Sequence, residues 1–274
     1  MPTVSVIIPT YNRPKFLERS LQSVYKQTFK DFEVIIVDDG SVCRADNEKI
    51  VDKYVRKGMK IKYFYQKNIG APGARNRGIK EAEGKYIAFL DDDDEFLPEK
   101  LERQVRLFEI SSEKVGLIYT WAKEVDEKGN LLRKHCISVR GNSLKEILKR
   151  NFIPSPSAMV RKECFDKVGL FDENFPSCQD WEMWTRIASW YEFDVVEDFL
   201  VIYHKHFNFS IGKSRNALYG YYAYFKKYQN LYLQLGMKSE LSNYLGWLAY
   251  KMAIMGDKQK AQAVSYTHLT LPTN

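Results

Sequence analysis

Four consecutive carboxylates, Asp91, Asp92, Asp93 and Asp94, follow the apolar run Tyr86–Leu90 in the stretch YIAFLDDDDEFLP. Like charges this close repel one another unless a cation stands nearby. Alternation along an extended segment would send Asp91 and Asp93 to one side. Two hard oxygen donors so placed suit Mg²⁺ or Mn²⁺ carried in with a phosphate-bearing substrate. The same stretch fits a solvated acidic turn before a helix, with Asp94 or Glu95 favouring the helix N-terminus. Taken alone, it leaves both readings open. Two further apolar runs end in polar residues: Val4–Ile8 before Pro9-Thr10-Tyr11, and Phe32–Val37 before Asp38-Asp39-Gly40-Ser41.

Something must hold these ends together. The first hundred residues read β-α-β-α-β-α-β, with strands at Val4–Ile8, Phe32–Val37, Ile61–Tyr65 and Tyr86–Leu90. Pro14 suits a helix first turn, and Phe16, Leu17, Leu21, Val24 and Tyr25 recur at helical spacing. The segment Asn68–Arg75 is a glycine-bearing turn that enters another helix. Strands alternating with helices imply a parallel sheet covered on both faces, with right-handed crossovers. The three polar strand ends then converge on one sheet edge, where open α/β sheets bind ligands.

Beyond Pro98 the pattern predicts a helix over Leu101–Phe108 and strands over Gly116–Lys123 and Asn130–Ser138. A helix follows over Ser143–Lys149, then a rigid loop bearing Pro154 and Pro156 and a strand over Ala158–Arg161. Lys162–Val168 reads as a helix ended by Gly169, and another begins at Asp180 with the stripe Trp181, Trp184, Ile187 and Ala188. Phe193–Val196 and Leu200–Tyr203 read as two strands. From about Asn216 the chain turns to tyrosine-rich helices, and Trp247, Leu248, Tyr250 and Met252 before the break at Gly256-Asp257 suggest an antiparallel helix pair. Residues 265–274 break that pattern and read as a non-native tail.

The 274 residues suffice for one large α/β domain and a small extension. No apolar run approaches the roughly 20 residues of a membrane span. The chain enters a strand at once, so no secretory signal is expected. Cys43, Cys136, Cys164 and Cys178 form no CxxC pair and suit reduced thiols in the cytoplasm; with four scattered His they make no zinc site. The net charge of +7 favours anionic partners. Without a Lys/Arg run or a basic-aromatic signature, nucleic acid is not among them. Loose contact with an anionic membrane leaflet and homodimer formation stay open.

The stretches VSVIIPTYNR, VIIVDDGS, NIGAPGARNRGI, YIAFLDDDDEFLP and FDENFPSCQDWEMWTR, in this order and spacing, resemble the family 2 glycosyltransferases over about residues 3–212. The resemblance implies a GT-A fold, a mostly parallel Rossmann-like sheet flanked by helices. A nucleotide-binding half over residues 1–100 would join an acceptor-binding half over 101–212, followed by a helical extension over 213–264. It implies that Pro9, Thr10 and Tyr11 line a nucleotide pocket and that Asp39, supported by Asp38, accepts a hydrogen bond from the base. A carboxylate there favours a ring N–H donor such as uracil. Arg75 would meet the phosphates. Asp91 and Asp93 would be the ends of a DxD motif, with Asp93 the metal ligand for Mn²⁺ or Mg²⁺ and Asp91 or Asp92 toward the ribose. Four consecutive aspartates leave the register uncertain by one residue. His206 would reach the metal or the diphosphate, with His204 close enough to compete for that place.

Asp180 falls where the family has its general base, preceded here by Gln179 where the family often has Glu. A sugar hydroxyl is a poor nucleophile, and a carboxylate within reach takes its proton as the new bond forms. One base and no evident nucleophile suit a single displacement with inversion. Asp180 could also cap a helix. Trp181 and Trp184 could stack on a sugar, though their helical spacing suits the core, Trp184 above all. The resemblance thus implies transfer from a nucleotide-diphospho-sugar to a hydroxyl acceptor, a saccharide or lipid-linked molecule of cell-surface polysaccharide or glycolipid synthesis. Enzyme and partners would meet in the cytoplasm or at the inner membrane face. Two other readings compete with it. A haloacid-dehalogenase-like phosphohydrolase also has Asp-x-Asp after a strand, but near the start of its domain. A non-catalytic nucleotide-sugar-binding protein would not need Asp180.

Overall fold

The computed structural model describes residues 1–205 and 215–269. The first half alternates as expected: β1 (Val4–Thr10), α1 (Pro14–Tyr25), β2 (Phe32–Asp38), α2 (Arg44–Val55), β3 (Ile61–Tyr65), α3 (Ala71–Glu81) and β4 (Tyr86–Phe89). Proline opens both α1 and α3, where its missing N–H costs nothing. β2 is buried at every residue, which suits a strand covered on both faces. These four strands lie in the order β3-β2-β1-β4, all parallel. The register pairs Thr10 with Asp38 and Ile7 with Phe89. The C-terminal ends of β1, β2 and β4 therefore share one edge.

The second half comprises β5 (Glu95–Phe96), α4 (Lys100–Ile110), β6 (Val115–Val125), β7 (Leu131–His135), α5 (Leu144–Lys149), a 3-10 turn (Ser155–Ser157), β8 (Met159–Arg161), α6 (Glu163–Val168), α7 (Gln179–Ala188) and β9 (Glu192–His204). It adds antiparallel pairings to the expected parallel sheet. β8 pairs antiparallel with both β4 and β6, β7 with β6, and β5 with β9; only β6 and β9 run parallel. The sheet is thus mixed, with β3-β2-β1-β4 and the β6–β9 pair parallel. β9 is also one strand where two were expected. Register shifts against β6 near Thr120 and Trp121 take up the irregularity, so the backbone continues through Glu197 and Asp198.

Among the described residues the extension holds α8 (Arg215–Gln234), α9 (Lys238–Ile254) and α10 (Lys258–Leu269), with α9 and α10 on either side of the expected break at Gly256-Asp257. α10 continues past Ser265, where the sequence pattern breaks. α8 is not a surface appendage. Tyr224, Phe225 and Tyr232 lie in the same core layer as Ile35, Phe89 and Trp184. Trp181 stacks on Tyr224 with ring centroids 3.9 Å apart, and Thr185 Oγ1 lies 2.7 Å from the Tyr224 hydroxyl. The carboxylate of Glu182, fully buried, accepts hydrogen bonds from Arg186, from Lys227 at 2.7 Å and from Tyr228 at 3.0 Å. Gly220 lets α8 come close: a Cβ there would stand 2.0 Å from Ser177 Oγ. Among the described residues no helix is long and apolar enough to cross a membrane.

Candidate active site

A cavity of about 1160 Å³ opens at the edge where β1, β2 and β4 end. One wall carries Pro9, Thr10, Tyr11, Asp39, Arg75, Asp91, Asp92 and Asp93. The facing wall carries Asp180, the Asn151–Pro156 loop, and Tyr203 and His204 from the end of β9. The sequence-predicted residues therefore share one space, with two exceptions. Asp38 does not line it. Asp38 is fully buried, and its carboxylate accepts hydrogen bonds from Ser41 N and Asn47 Nδ2, both at 2.8 Å, and from the Tyr63 hydroxyl at 2.6 Å. Burial opposes its charge, but these donors outweigh that and hold its pKa below the ordinary carboxylate value. Asp38 thus anchors the turn after β2 rather than touching a ligand. His206 lies outside the described residues. His204 does line the cavity, but its ring is engaged 2.8 Å from Glu95 Oε1.

The four aspartates correct a second expectation. They do not extend and alternate; Asp94 N donates to Asp91 O at 3.0 Å, closing a turn. The turn spreads the carboxylates over several partners, with Arg13 reaching both Asp92, at 3.4 Å, and Asp93. Asp91 pairs with Arg75. Asp92 accepts from Thr10 Oγ1 at 2.8 Å. Asp93 pairs with Arg13 at 3.0 Å, and its backbone carbonyl accepts from Arg19. Asp94 faces inward, accepting from His204 N at 2.8 Å, and its Oδ2 has no hydrogen-bond partner. Burial and the Asp93 charge push Asp92 up to about 7 despite Thr10 and Arg13. Burial and the charges of Asp93 and Asp91 raise Asp94 well above the ordinary carboxylate value. Burial and crowding thus disfavour ionising all four carboxylates at once.

Asp39 sits at the cavity floor with its carboxylate already bonded to Gln66 Nε2 at 2.8 Å, Ile69 N at 3.1 Å and Gly70 N at 2.8 Å. It fixes the segment that opens α3. Gly70 takes φ 89°, which only glycine adopts without strain. Asn12, at φ 56°, ties the loops after β1 and β2 together: its side chain accepts from Val42 N and its N–H donates to Ser41 Oγ, both at 2.8 Å.

On the facing wall α7 begins at Gln179 with Cys178 as its N-cap residue, so Asp180 lies inside the first turn and is not the cap. Its Oδ1 accepts from Trp181 N at 2.8 Å and its Oδ2 from Asn151 Nδ2 at 3.0 Å. Burial raises its pKa, against the pull of Trp181 N–H, Arg75 and Asn151. Arg75 is the charge between the walls. Burial opposes its charged form, but Asp91, then Asp180 and Asp93, more than restore it; its Nε has no hydrogen-bond partner. Cys178 is held at φ 62°, and burial pushes its thiol up to about 12, so it stays protonated and is no nucleophile. Trp181 lines the cavity by its edge, its face being covered by Tyr224; Trp184 is fully buried, as its spacing suggests.

Sequence reasoning missed Arg13, Asn151 and the trio Glu124, His135 and Lys205, in which Glu124 meets His135 at 2.9 Å and Lys205 at 2.6 Å. Arg13 carried a signal, a cation just past a strand end that bears ligand-like residues. The others are brought in by pairings distant in sequence.

Among the described residues no three His, Cys, Asp or Glu side chains converge as a metal cage. The donor set fits a different mode. Asp91 and Asp93 offer hard oxygens at the cavity wall, as suits a divalent ion that takes one or two carboxylates and completes its shell with substrate phosphates and water.

The sequence model of glycosyl transferase family 2 matches residues 5–169. The chain is 36% identical over 230 residues to an uncharacterized glycosyltransferase of Methanocaldococcus jannaschii, covering 81% of this chain and 78% of that one. It is 30% identical over 247 residues to the GalNAc(5)-diNAcBac-PP-undecaprenol beta-1,3-glucosyltransferase of Campylobacter jejuni, covering 88% and 77%. It spans only 26–31% of the length of several longer Rickettsia relatives. The crystal structure of S. aureus TarS 1-349 in complex with UDP-GlcNAc superposes with a TM-score of 0.65 at 20% identity, over 96% of this chain and 83% of that one, a likeness of fold. The matched residues include the strand ends that line this cavity, the relatives are named transferases rather than phosphohydrolases, and the chain belongs to the family 2 glycosyltransferases.

Proposed function

We propose that this chain transfers a sugar from a nucleotide-diphospho-sugar, a uridine nucleotide favoured, to a hydroxyl acceptor by single displacement with inversion. One observation carries the reading: Asp180 and the Asp91–Asp93 turn face the same cavity, with Arg75 under the charge of both. The nucleotide lies against Pro9, Thr10 and Tyr11 at the end of β1. Asp39 would accept the base N–H on a lone pair left over from its bonds to the Gln66–Gly70 turn. Arg13 and Arg75 face the diphosphate as cations that limit its charge. Asp93 and Asp91 would hold Mn²⁺ or Mg²⁺, which supplies Lewis-acid neutralisation of the leaving diphosphate. Asp180, its carboxylate aimed by Asn151 and Trp181 N–H, accepts the acceptor's hydroxyl proton as that oxygen bonds to the anomeric carbon and the nucleoside diphosphate departs.

The acceptor end favours a saccharide or lipid-linked molecule of cell-surface polysaccharide or glycolipid synthesis. The Campylobacter relative's named lipid-linked substrate supports that class. Thermal shift with UDP, GDP and dTDP, each with and without Mn²⁺, tests the donor half. Stabilisation by UDP that needs Mn²⁺ is expected, because a ligand bound only to the folded state adds RT ln(1 + [L]/Kd). Equal or metal-independent shifts would remove the assignment. For the base, Asp180→Asn should keep the UDP shift and lose transfer.

A further inference from the structure

The cavity wall beyond Asp180 is built by the helical extension. Tyr221 comes from α8, and Tyr244 and Trp247 from α9. Trp181, next to Asp180, meets Tyr221 edge-on with ring centroids 6.0 Å apart, and Tyr221 meets Trp247 edge-on at 5.5 Å. The rings thus run from beside the base to Trp247, which keeps 41% of its surface exposed. Tyr244 is fixed from behind by stacking on Phe225 at 4.8 Å. This is a rigid aromatic wall, since each ring is pinned by the next and ring side chains lose little freedom on binding.

Arg150 lines the same wall, exposed, close enough to Tyr244 for its charge to act on the phenol. No carboxylate among the described residues pairs with it, whereas the adjacent Lys149 is paired with Glu146 at 2.7 Å. Arg150 directly precedes Asn151, the residue that holds Asp180. A molecule that presents a hydroxyl to Asp180 therefore lays its remainder against the aromatic rings and the free guanidinium.

We propose that this wall is an acceptor subsite for a saccharide that carries an anionic group, phosphate or carboxylate, near the sugar presenting the reacting hydroxyl. The ring faces take the C–H face of a sugar, and a guanidinium fork matches the paired oxygens of either anion. The assignment rests on the reading of Asp180 as the base.

Saturation-transfer NMR titrations with a hexose 1-phosphate, a hexuronate and a neutral methyl hexoside test it. They are run with saturating UDP and Mn²⁺, to fill the donor end, and again without nucleotide. At least one anionic sugar should bind about tenfold tighter than the neutral one, as hydrogen bonds to charged groups do. The tighter of the two names the group. Arg150→Gln should erase the preference and Arg150→Lys keep part of it. Trp247→Ala should weaken every sugar about tenfold, as loss of an aromatic anchor does. UDP affinity should stay unchanged in all three variants. Equal binding of charged and neutral sugars, or an Arg150→Gln protein that still discriminates, would overturn the subsite. A Trp247→Ala protein that binds sugars as well as wild type, or forms a different oligomer, would do the same. Failure of wild type to bind UDP would instead count against the donor reading, while the nucleotide-free titrations still decide the subsite.

Discussion

Asn151 Nδ2 donates to Asp180 Oδ2 at 3.0 Å, so a residue that follows α5 sets the direction of a carboxylate on α7. The bond also favours the ionised form of a group whose burial raises its pKa. In Asn151→Ala the carboxylate loses both aim and support. Transfer should fall by about tenfold, the worth of one hydrogen bond to a charged group. A base works only when ionised, so activity climbs with pH through its pKa. With the bond gone that pKa moves further up, and the acidic limb of the kcat/KM profile should shift to higher pH. An unmoved limb would mean that Asp180 is not the titrating base.

Asp180→Asn should lower kcat by about 10²- to 10⁴-fold, the usual reach of general base catalysis. The same change bears on stability. The folded-state pKa of Asp180 lies above its unfolded value, so its favourable contribution exists at low pH, while the acid is protonated, and is lost as pH rises through the folded pKa. At neutral pH the ionised carboxylate therefore costs stability. Asp180→Asn should melt higher than wild type at neutral pH and equal to it in acid, as calorimetry at the two pH values would show.

How far was this site legible? The strand ends were, because apolar runs closed by Thr10, Asp39 and Asp91 mark a parallel sheet edge in one dimension. The direction of each aspartate was not. An extended reading pairs Asp91 with Asp93, whereas the Asp94 N–H to Asp91 O turn hands them to Arg75 and Arg13 instead. Asp38 and Asp39 look equivalent as letters, but the pleat sends one into the core and the other to the cavity. β5 was invisible because two residues show no period, and β8 pairs antiparallel for reasons that lie in its neighbours.

Lys100 is fully buried, with its ammonium bonded to Gln104 Oε1 at 2.7 Å and 4.0 Å from the centre of the Phe96 ring. Burial holds its pKa well below the usual lysine value. The unfolded chain then binds more protons between the folded pKa and the ordinary one, so stability rises with pH across that window. Denaturant titrations should show a slope approaching about 1.4 kcal/mol per pH unit within it. Lys100→Met should remove that slope.

Glu182 answers two cations and a phenol from a fully buried position. Glu182→Ala leaves Arg186 and Lys227 without it and should cost about 3–5 kcal/mol in urea unfolding, as loss of one partner from a buried ion pair does. Glu182→Gln keeps acceptor and shape and should cost less.

Gly220→Ala puts a methyl 2.0 Å from Ser177 Oγ and 2.8 Å from Ser177 O. The hydroxyl can rotate away, but the backbone oxygen cannot, so α8 must back off. We expect a loss of about 1–3 kcal/mol from overpacking and weaker sugar binding, while UDP affinity holds. Unchanged sugar binding would show that the position of α8 is irrelevant to the acceptor.

The ring of Tyr224 lying flat on Trp181 has a practical corollary for anyone trimming this polypeptide. A fragment halted before Asn216 keeps the whole stretch that the family model matches, yet turns the indole beside Asp180 outward to water. Such a piece should collect in inclusion bodies rather than behave as a minimal enzyme.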